Sequence, residues 1–290
     1  MMSNFTDDET TAARKLIALA YEEDLGTTGD RTTLALIPEA ATATAAFVSR
    51  SGGTIAGLPV AALAIAERGP KLQFQTFVHD GDMVAPGTCI AHVSGSLREI
   101  LVAERTALNF LQRLTGVATQ THRYTSLVRG LNVAILDTRK TTPGWRLLEK
   151  YAVRMGGGTN HRIGLYDAIL IKDNHIAGVG GDVRKAVELA RAYPGNAGLS
   201  VEVEVDTLEQ LERVLPAKSE IVLLDNMSLE QLRFAVARRN AVAPATKLEA
   251  AGGVNLTTVR SIAETGVERI SVGALTHSAM AADIALDYLS

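Results

Sequence analysis

The chain has 290 residues, enough for one large α/β domain or two smaller ones. Hydrophobic residues make up 47% and charged residues 21%, which excludes wholesale disorder. A net charge of −3 argues against a general nucleic-acid binder, and the single cysteine, Cys89, excludes an intrachain disulfide or a cysteine-rich zinc site. The opening residues are acidic and threonine-rich, so no secretory signal is expected. The longest apolar run, Ile55 to Ala66, is broken by Gly57 and Pro59 and falls short of the ~20 residues a membrane helix needs. A cytoplasmic protein that binds neither membrane nor nucleic acid is expected.

In chain order, residues 10–24 predict a helix with Leu16, Ile17, Ala20 and Tyr21 on one face, closed by a turn at 26–30. Strand-like runs come next at 43–49, 72–78 and 89–94, and 99–115 predict a long helix. After residue 115 the texture changes. Short β-rich runs at 133–136, 168–171, 201–205, 221–224, 247–250 and 270–272 alternate with helical segments such as 183–193, 208–215, 229–239 and 257–265. This alternation means parallel strands with right-handed crossovers. An α/β barrel or barrel-like open sheet is expected, with a flat doubly wound sheet as the competing geometry.

The chemistry lies at the carboxyl end of each strand. The first run leads into Asp137-Thr138-Arg139-Lys140-Thr141-Thr142-Pro143-Gly144 and the second into Lys172-Asp173-Asn174-His175. Period-two alternation puts Glu202 and Glu204 on one face of the third. The fourth leads into Asp225-Asn226, the fifth into Ala251-Gly252-Gly253, and the sixth runs through Val272 into Gly273-Ala274. In α/β barrels the carboxyl ends of the strands share one face and build the active site. One charged strand end is ordinary loop solvation; six in succession ending in charged residues or glycines predict a common pocket.

Glycine turns opening onto helix N-termini offer bare N–H groups, and barrels often place a phosphate at their last two strands. The segments 251–253 and 272–274 are therefore candidate phosphate loops. Arg139-Lys140 and His161-Arg162 flank strands and the Gly156-Gly157-Gly158 turn, and guanidinium forks match carboxylates and phosphates. Arg146, Lys150 and Arg154 read instead as a solvated helix face. Within a cationic pocket, Glu204 and Asp225 could accept from sugar hydroxyls, hold Mg²⁺ or act as a general base. The residues alone predict a barrel enzyme acting on a phosphorylated sugar and a small anionic partner.

Several segments resemble the quinolinate phosphoribosyltransferase family. They are 104–109, the 137–144 run, Gly156-Gly157-Gly158-Thr159-Asn160-His161-Arg162, Ile171 to His175, Glu202 to Val205 and Leu224 to Asn226. The resemblance extends from about Glu23 to Asp287. It implies an N-terminal α/β sandwich over 1–114, joined by a C-terminal helix at 276–290, and an open α/β barrel over 115–275. It implies transfer of phosphoribosyl from 5-phosphoribosyl 1-diphosphate to quinolinate with loss of CO₂, using Mg²⁺, in NAD synthesis. It also implies a homodimer or higher oligomer.

By the same resemblance, Arg105, Arg139, Arg162 and Lys172, with His161 and Lys140, serve the quinolinate carboxylates, and Arg105 comes from the neighbouring subunit. Thr138 joins the substrate-binding set. Lys140 and Lys172 also reach the diphosphate. Glu204 and Asp225 hold the ribose hydroxyls or the metal. Ala251, Gly252, Gly253, Val272, Gly273 and Ala274 hold the 5-phosphate. Ala251 stands where many members have Ser, which removes a hydroxyl contact but leaves the backbone donors. Trp145 has no assigned role.

Three rivals remain at this level. One is a related phosphoribosyltransferase for another acid, such as nicotinate, although several arginines favour a dicarboxylate. Another is a lipoyl- or biotinyl-like carrier module around Val78 to Gly87, which lacks a lysine at a hairpin tip. The third, a zinc hydrolase, lacks the paired-histidine helix spacing that chemistry requires.

Overall fold

The computed structural model describes residues 5–196 and 198–289. The chain begins with α1 (Asp7–Leu25), α2 (Arg31–Leu36), β1 (Thr42–Ser49), β2 (Gly53–Thr54), α3 (Leu58–Arg68), β3 (Gln73–Thr76), β4 (Met83–Val84) and β5 (Thr88–Ser96). It continues with α4 (Leu97–Leu127), β6 (Ala134–Leu136), α5 (Arg146–Met155), β7 (Ile169–Ile171), α6 (Asp173–Gly178), α7 (Val183–Ala192) and β8 (Val201–Val205). It ends with α8 (Leu208–Val214), β9 (Ile221–Asp225), α9 (Leu229–Val242), β10 (Lys247–Ala251), α10 (Val259–Ala263), β11 (Arg269–Ser271), α11 (Ala274–His277) and β12 (Ile284–Leu289).

Two compact units divide these elements. The first holds the chain up to His122, Thr141–Gly157 and the stretch from Leu275; the second holds Arg123–Lys140 and Gly158–Ala274. Residue 115, where the sequence texture changes, lies inside α4, which continues unbroken to Leu127.

The first unit is built on an antiparallel sheet in the order β12-β1-β5-β3, with Phe47, Ile90, Val93 and Ile100 buried in its core. Helix α1 starts with a reciprocal cap, in which the Thr6 hydroxyl accepts from the Glu9 amide and the Glu9 carboxylate accepts from the Thr6 amide. The helix expected at 276–290 is not formed. Only 274–277 are helical, and Ile284–Leu289 pair with β1, with Tyr288 opposite Ala45 (Ser290 lies outside the described residues). Trp145 stacks on Phe110 with ring centroids 4.8 Å apart at the start of α5. Lys150, expected on a solvated face, is fully buried, because six consecutive residues of α5, Leu148 to Val153, are all covered.

The segment read as a possible carrier hairpin has a structural use. Asp80 is buried and accepts from the Gly57 and Leu58 amides at the start of α3 and from the Tyr151 hydroxyl.

The second unit contains the open α/β barrel. Six parallel strands lie in the order β6-β11-β10-β9-β8-β7, over buried Ile135, Leu136, Val203, Val222, Leu224, Leu248 and Ile270. Consecutive strands are neighbours except at one junction, where β6 and β7 are the two ends of the sheet. The chain leaves β6, passes through α5, and returns at Thr159. There the Thr159 amide donates to the Ile135 carbonyl at 2.8 Å before β7 begins at Ile169. Residues 160–168 therefore cross between the two ends of the sheet, from the β6 edge to β7.

Candidate active site

Parallel register brings the carboxyl ends of the strands together. Ile171 lies opposite Val203, which sets Lys172 beside Glu204, and the lysine ammonium donates to the Glu204 carboxylate. The Lys172 amide also donates to His175 Nδ1 at 2.9 Å, fixing the backbone that carries the lysine. Ala251 lies opposite Asp225, and the Asn226 amide donates to the Ala251 carbonyl at 2.9 Å. The Asn226 side-chain amide donates to Asp225 at 2.7 Å. Gly252 and Gly253 come next at positive φ, exposed, and Gly273 and Ala274 lie half-buried after β11. Helix α10 begins only at Val259 and α11 has four residues, so the two glycine turns present their own backbone amides rather than long helix termini.

Residues 137–140 leave the end of β6. The Lys140 amide donates to the Thr138 hydroxyl at 3.0 Å, a tight turn that leaves Arg139 and Lys140 exposed. Asp137 is fully buried and organises the opposite loop: it accepts from the His161 amide at 2.8 Å and from the Asn160 side chain at 2.6 Å. Arg162 is half-buried, and burial together with the nearby Arg139 charge lowers its pKa. Like charges near enough to affect one another favour an anion beside them.

Beneath these groups lies a cluster that sequence reasoning did not single out. His161 Nε2 is 3.2 Å from Glu202 and 3.4 Å from Glu249, and Arg269 donates to Glu249 at 2.7 Å. Both carboxylates are buried. Burial pulls the imidazole pKa down, but the two carboxylates outweigh it and bring it up to about 9. The Arg162 amide, which donates to His161 Nδ1 at 2.7 Å, works against protonation, since a protonated Nδ1 would lose that bond. Burial raises the Glu202 pKa, whereas His161 and Arg269 hold Glu249 below its ordinary value despite burial. A cavity of about 420 Å³ borders the cluster on the side of the strand starts, where Ser200, Ile221 and Lys247 line it.

The structure thus gathers Thr138, Arg139, Lys140, His161, Arg162, Lys172, Glu204, Asp225, 251–253 and 272–274 in one unit. Arg105 belongs to the other unit, exposed on α4. Glu202 was visible only as the companion of Glu204 on one strand face, and Glu249 as a lone acid in its β run, and that was the available signal. For Mg²⁺, the donor set of Glu204 and Asp225 is all oxygen and suits a hard cation that keeps waters and takes substrate phosphates. The His161 cluster also brings three ligand-type groups within 4.8 Å of one another, but Arg269 already neutralises one of its carboxylates.

Comparison with known proteins agrees with this geometry. The family described as "Quinolinate phosphoribosyl transferase, N-terminal domain" matches residues 30–115, and its C-terminal domain counterpart matches residues 117–287. Nicotinate-nucleotide pyrophosphorylase [carboxylating] of Mycobacterium leprae is 44% identical over 286 residues, covering 97% of this chain and 99% of the relative. A probable enzyme of the same name from Bacillus subtilis is 41% identical, covering 94% and 92%. The solved nicotinate-nucleotide pyrophosphorylase of Francisella tularensis superposes with a TM-score of 0.89 at 39% identity, covering 96% of each chain. With both domain families matched across nearly the whole length, the chain belongs to the quinolinate phosphoribosyltransferase family.

Proposed function

We propose that this chain transfers the phosphoribosyl group of 5-phosphoribosyl 1-diphosphate to quinolinate with decarboxylation, giving nicotinate mononucleotide, CO₂ and pyrophosphate for NAD synthesis. The observation that carries this reading is the Lys172–Glu204 ion pair on the same strand ends as Asp225 and the two glycine turns, with Arg139 near enough to Arg162 for its charge to be felt there. Two guanidiniums suit a dicarboxylate, and the remaining groups suit a ribose phosphate.

In this reading Arg139 and Arg162 take the acid's carboxylates and aim its ring nitrogen at the anomeric carbon. Such positioning is worth as much as about 7–11 kcal/mol in favourable cases. Lys140 and Lys172 offset charge on the departing pyrophosphate. The backbone amides of 251–253 and 272–274 take the 5-phosphate. Glu204 and Asp225 hold the ribose hydroxyls and favour positive charge developing at the anomeric carbon. These two carboxylates would also hold Mg²⁺, which when bound supplies further charge compensation for the diphosphate. N-alkylation leaves a cationic pyridinium. That ring accepts the electron pair of the C2–carboxylate bond as CO₂ leaves, and C2 then takes a proton.

The working assembly is a homodimer, with Arg105 on α4 entering the site of the neighbouring subunit, and the enzyme is cytoplasmic. Among the described residues no helix is long and apolar enough to cross a membrane.

The test is release of CO₂ and nicotinate mononucleotide from quinolinate, 5-phosphoribosyl 1-diphosphate and Mg²⁺, with nicotinate as the parallel acid. Product from quinolinate alone is expected. Product from nicotinate alone, or from neither acid, would overturn the assignment.

A further inference from the structure

His161 is expected to face the acid, yet both of its ring nitrogens have partners inside the protein. Nε2 lies between Glu202 and Glu249, and Nδ1 accepts from the Arg162 amide. The two carboxylates sit in the interiors of β8 and β10, where apolar side chains would pack at no electrostatic cost. Removing carboxylates from water is expensive, and buried ion pairs seldom add to stability over well-packed apolar residues. Glu202 and Glu249 each keep one oxygen, Oε1, buried without a hydrogen bond, and that of Glu249 meets the His161 ring only as an ion-pair contact at 3.4 Å. A fold under selection for stability alone gains little from this cluster, which points to a use in the site above it.

That use arises from where His161 stands in the chain. Thr159 is paired with β6, and the next strand starts at Ile169, so residues 160–162 cross the opening of the barrel. Arg162 must be held there against the like charge of Arg139. The bordering cavity, about 420 Å³, gives the His161 ring space to swing away if nothing restrains it. Asp137 fixes the backbone on one side, at the His161 amide. The ring supplies the second anchor.

We propose that Glu202 and Glu249, with Arg269 behind Glu249, are positioning residues for the acid-binding half of the site. They fix the His161 ring, and the ring fixes the Arg162 backbone from which the guanidinium reaches the acid. The proposal rests on the reading of Arg162 as an acid-binding residue and adds the carboxylate layer that orients it.

The test uses Glu202→Gln and Glu249→Gln, which keep side-chain volume. Each is expected to raise the KM for quinolinate about tenfold, the effect of one lost charged partner at the ring. The KM for 5-phosphoribosyl 1-diphosphate should stay within about twofold. On a His161→Ala background neither substitution should add more than about twofold, because the ring they act through is gone. Arg269→Lys, which keeps the charge behind Glu249, should fall between wild type and Glu249→Gln. Lower melting temperatures with both KM values unchanged, or full additivity with His161→Ala, would overturn the proposal.

A second readout does not depend on turnover. In protein labelled with ¹⁵N-histidine, the His161 ring signals should shift in both glutamine variants. Unchanged ring signals would overturn the proposal even if wild type proved inactive on quinolinate, a result that would sink the functional assignment separately. If a glutamine variant fails to fold, Glu202→Asp and Glu249→Asp keep the charge at shorter reach and are read by the same spectra.

Discussion

Gly252 and Asn226 compete for one small volume. A Cβ built on Gly252 would lie 2.2 Å from Asn226 Oδ1 and 2.9 Å from its backbone nitrogen, while Asn226 itself bonds back to Ala251 and Asp225. Gly252 also has φ +90°, a conformation that side chains resist. Gly252→Ala should therefore cost about 1–3 kcal/mol of stability and raise the KM for 5-phosphoribosyl 1-diphosphate. Gly253, at φ +60° with open space around it, should tolerate alanine better. Thermal melts and substrate titrations of the two variants check this; equal damage from both would refute it.

Lys172 is held on Glu204 and through its amide on His175, so its charge is delivered to a fixed place. Removing one preorganised charge at a transition state costs about 10²–10³ in rate. Lys172→Met should lower kcat by at least about 10²-fold with the melting temperature nearly unchanged. Steady-state kinetics beside a melt separate this from a folding defect.

With Arg139 and Arg162 each taking a carboxylate, as proposed, a dianion is a better stabiliser than a monoanion. At saturation near 100 times its Kd, a ligand adds about 2.7 kcal/mol to the folded state. Quinolinate should raise the melting temperature at lower concentration than nicotinate does. Arg162→Ala should abolish the difference, and a thermal-shift titration reads it directly.

Arg239 and Glu268 form a fork in the second unit, with contacts of 2.7 and 3.0 Å, and the Leu248 amide also donates to Glu268. Burial alone would raise the Glu268 pKa, but these donors outweigh it and hold it below the ordinary value. A depressed carboxylate contributes stability that is present above its unfolded pKa and lost as pH falls through its folded one. Glu268→Gln should be less stable than wild type at neutral pH, with the gap closing as the pH is taken into the acid range. A constant gap across that series of melts would count against the ion pair as its source.

All six barrel strands were readable in the sequence as short runs alternating with amphipathic helices, because that pattern is local, although Lys247 to Ala250 has no β-branched residue. Their order was not, since pairing β6 with β11 and leaving β6 and β7 apart depends on contacts far apart in the chain. Ile284–Leu289 was expected to be helical, yet it adds an edge to the first sheet, a case of tertiary pairing overriding local propensity. Helix α4, expected over 99–115, runs on past Gly116 to Leu127. A side chain has no room at that glycine: a Cβ would sit 2.0 Å from the Met280 carbonyl. Most of the candidate site lay in contiguous motifs and was legible. Glu249 and Arg269 were not, because Glu249 meets His161, and Arg269 meets Glu249, only through folding.

The opening beside β7 leaves, among the described residues, a strand edge with no strand beside it, and such edges invite pairing with a second chain. This one has only three residues, Ile169–Ile171, and runs at once into Lys172 and Asp173. Short length and flanking charge are the devices by which proteins keep free edges from templating aggregates. The lysine to which the proposed chemistry falls thus also places a charge beside the gap the barrel leaves open.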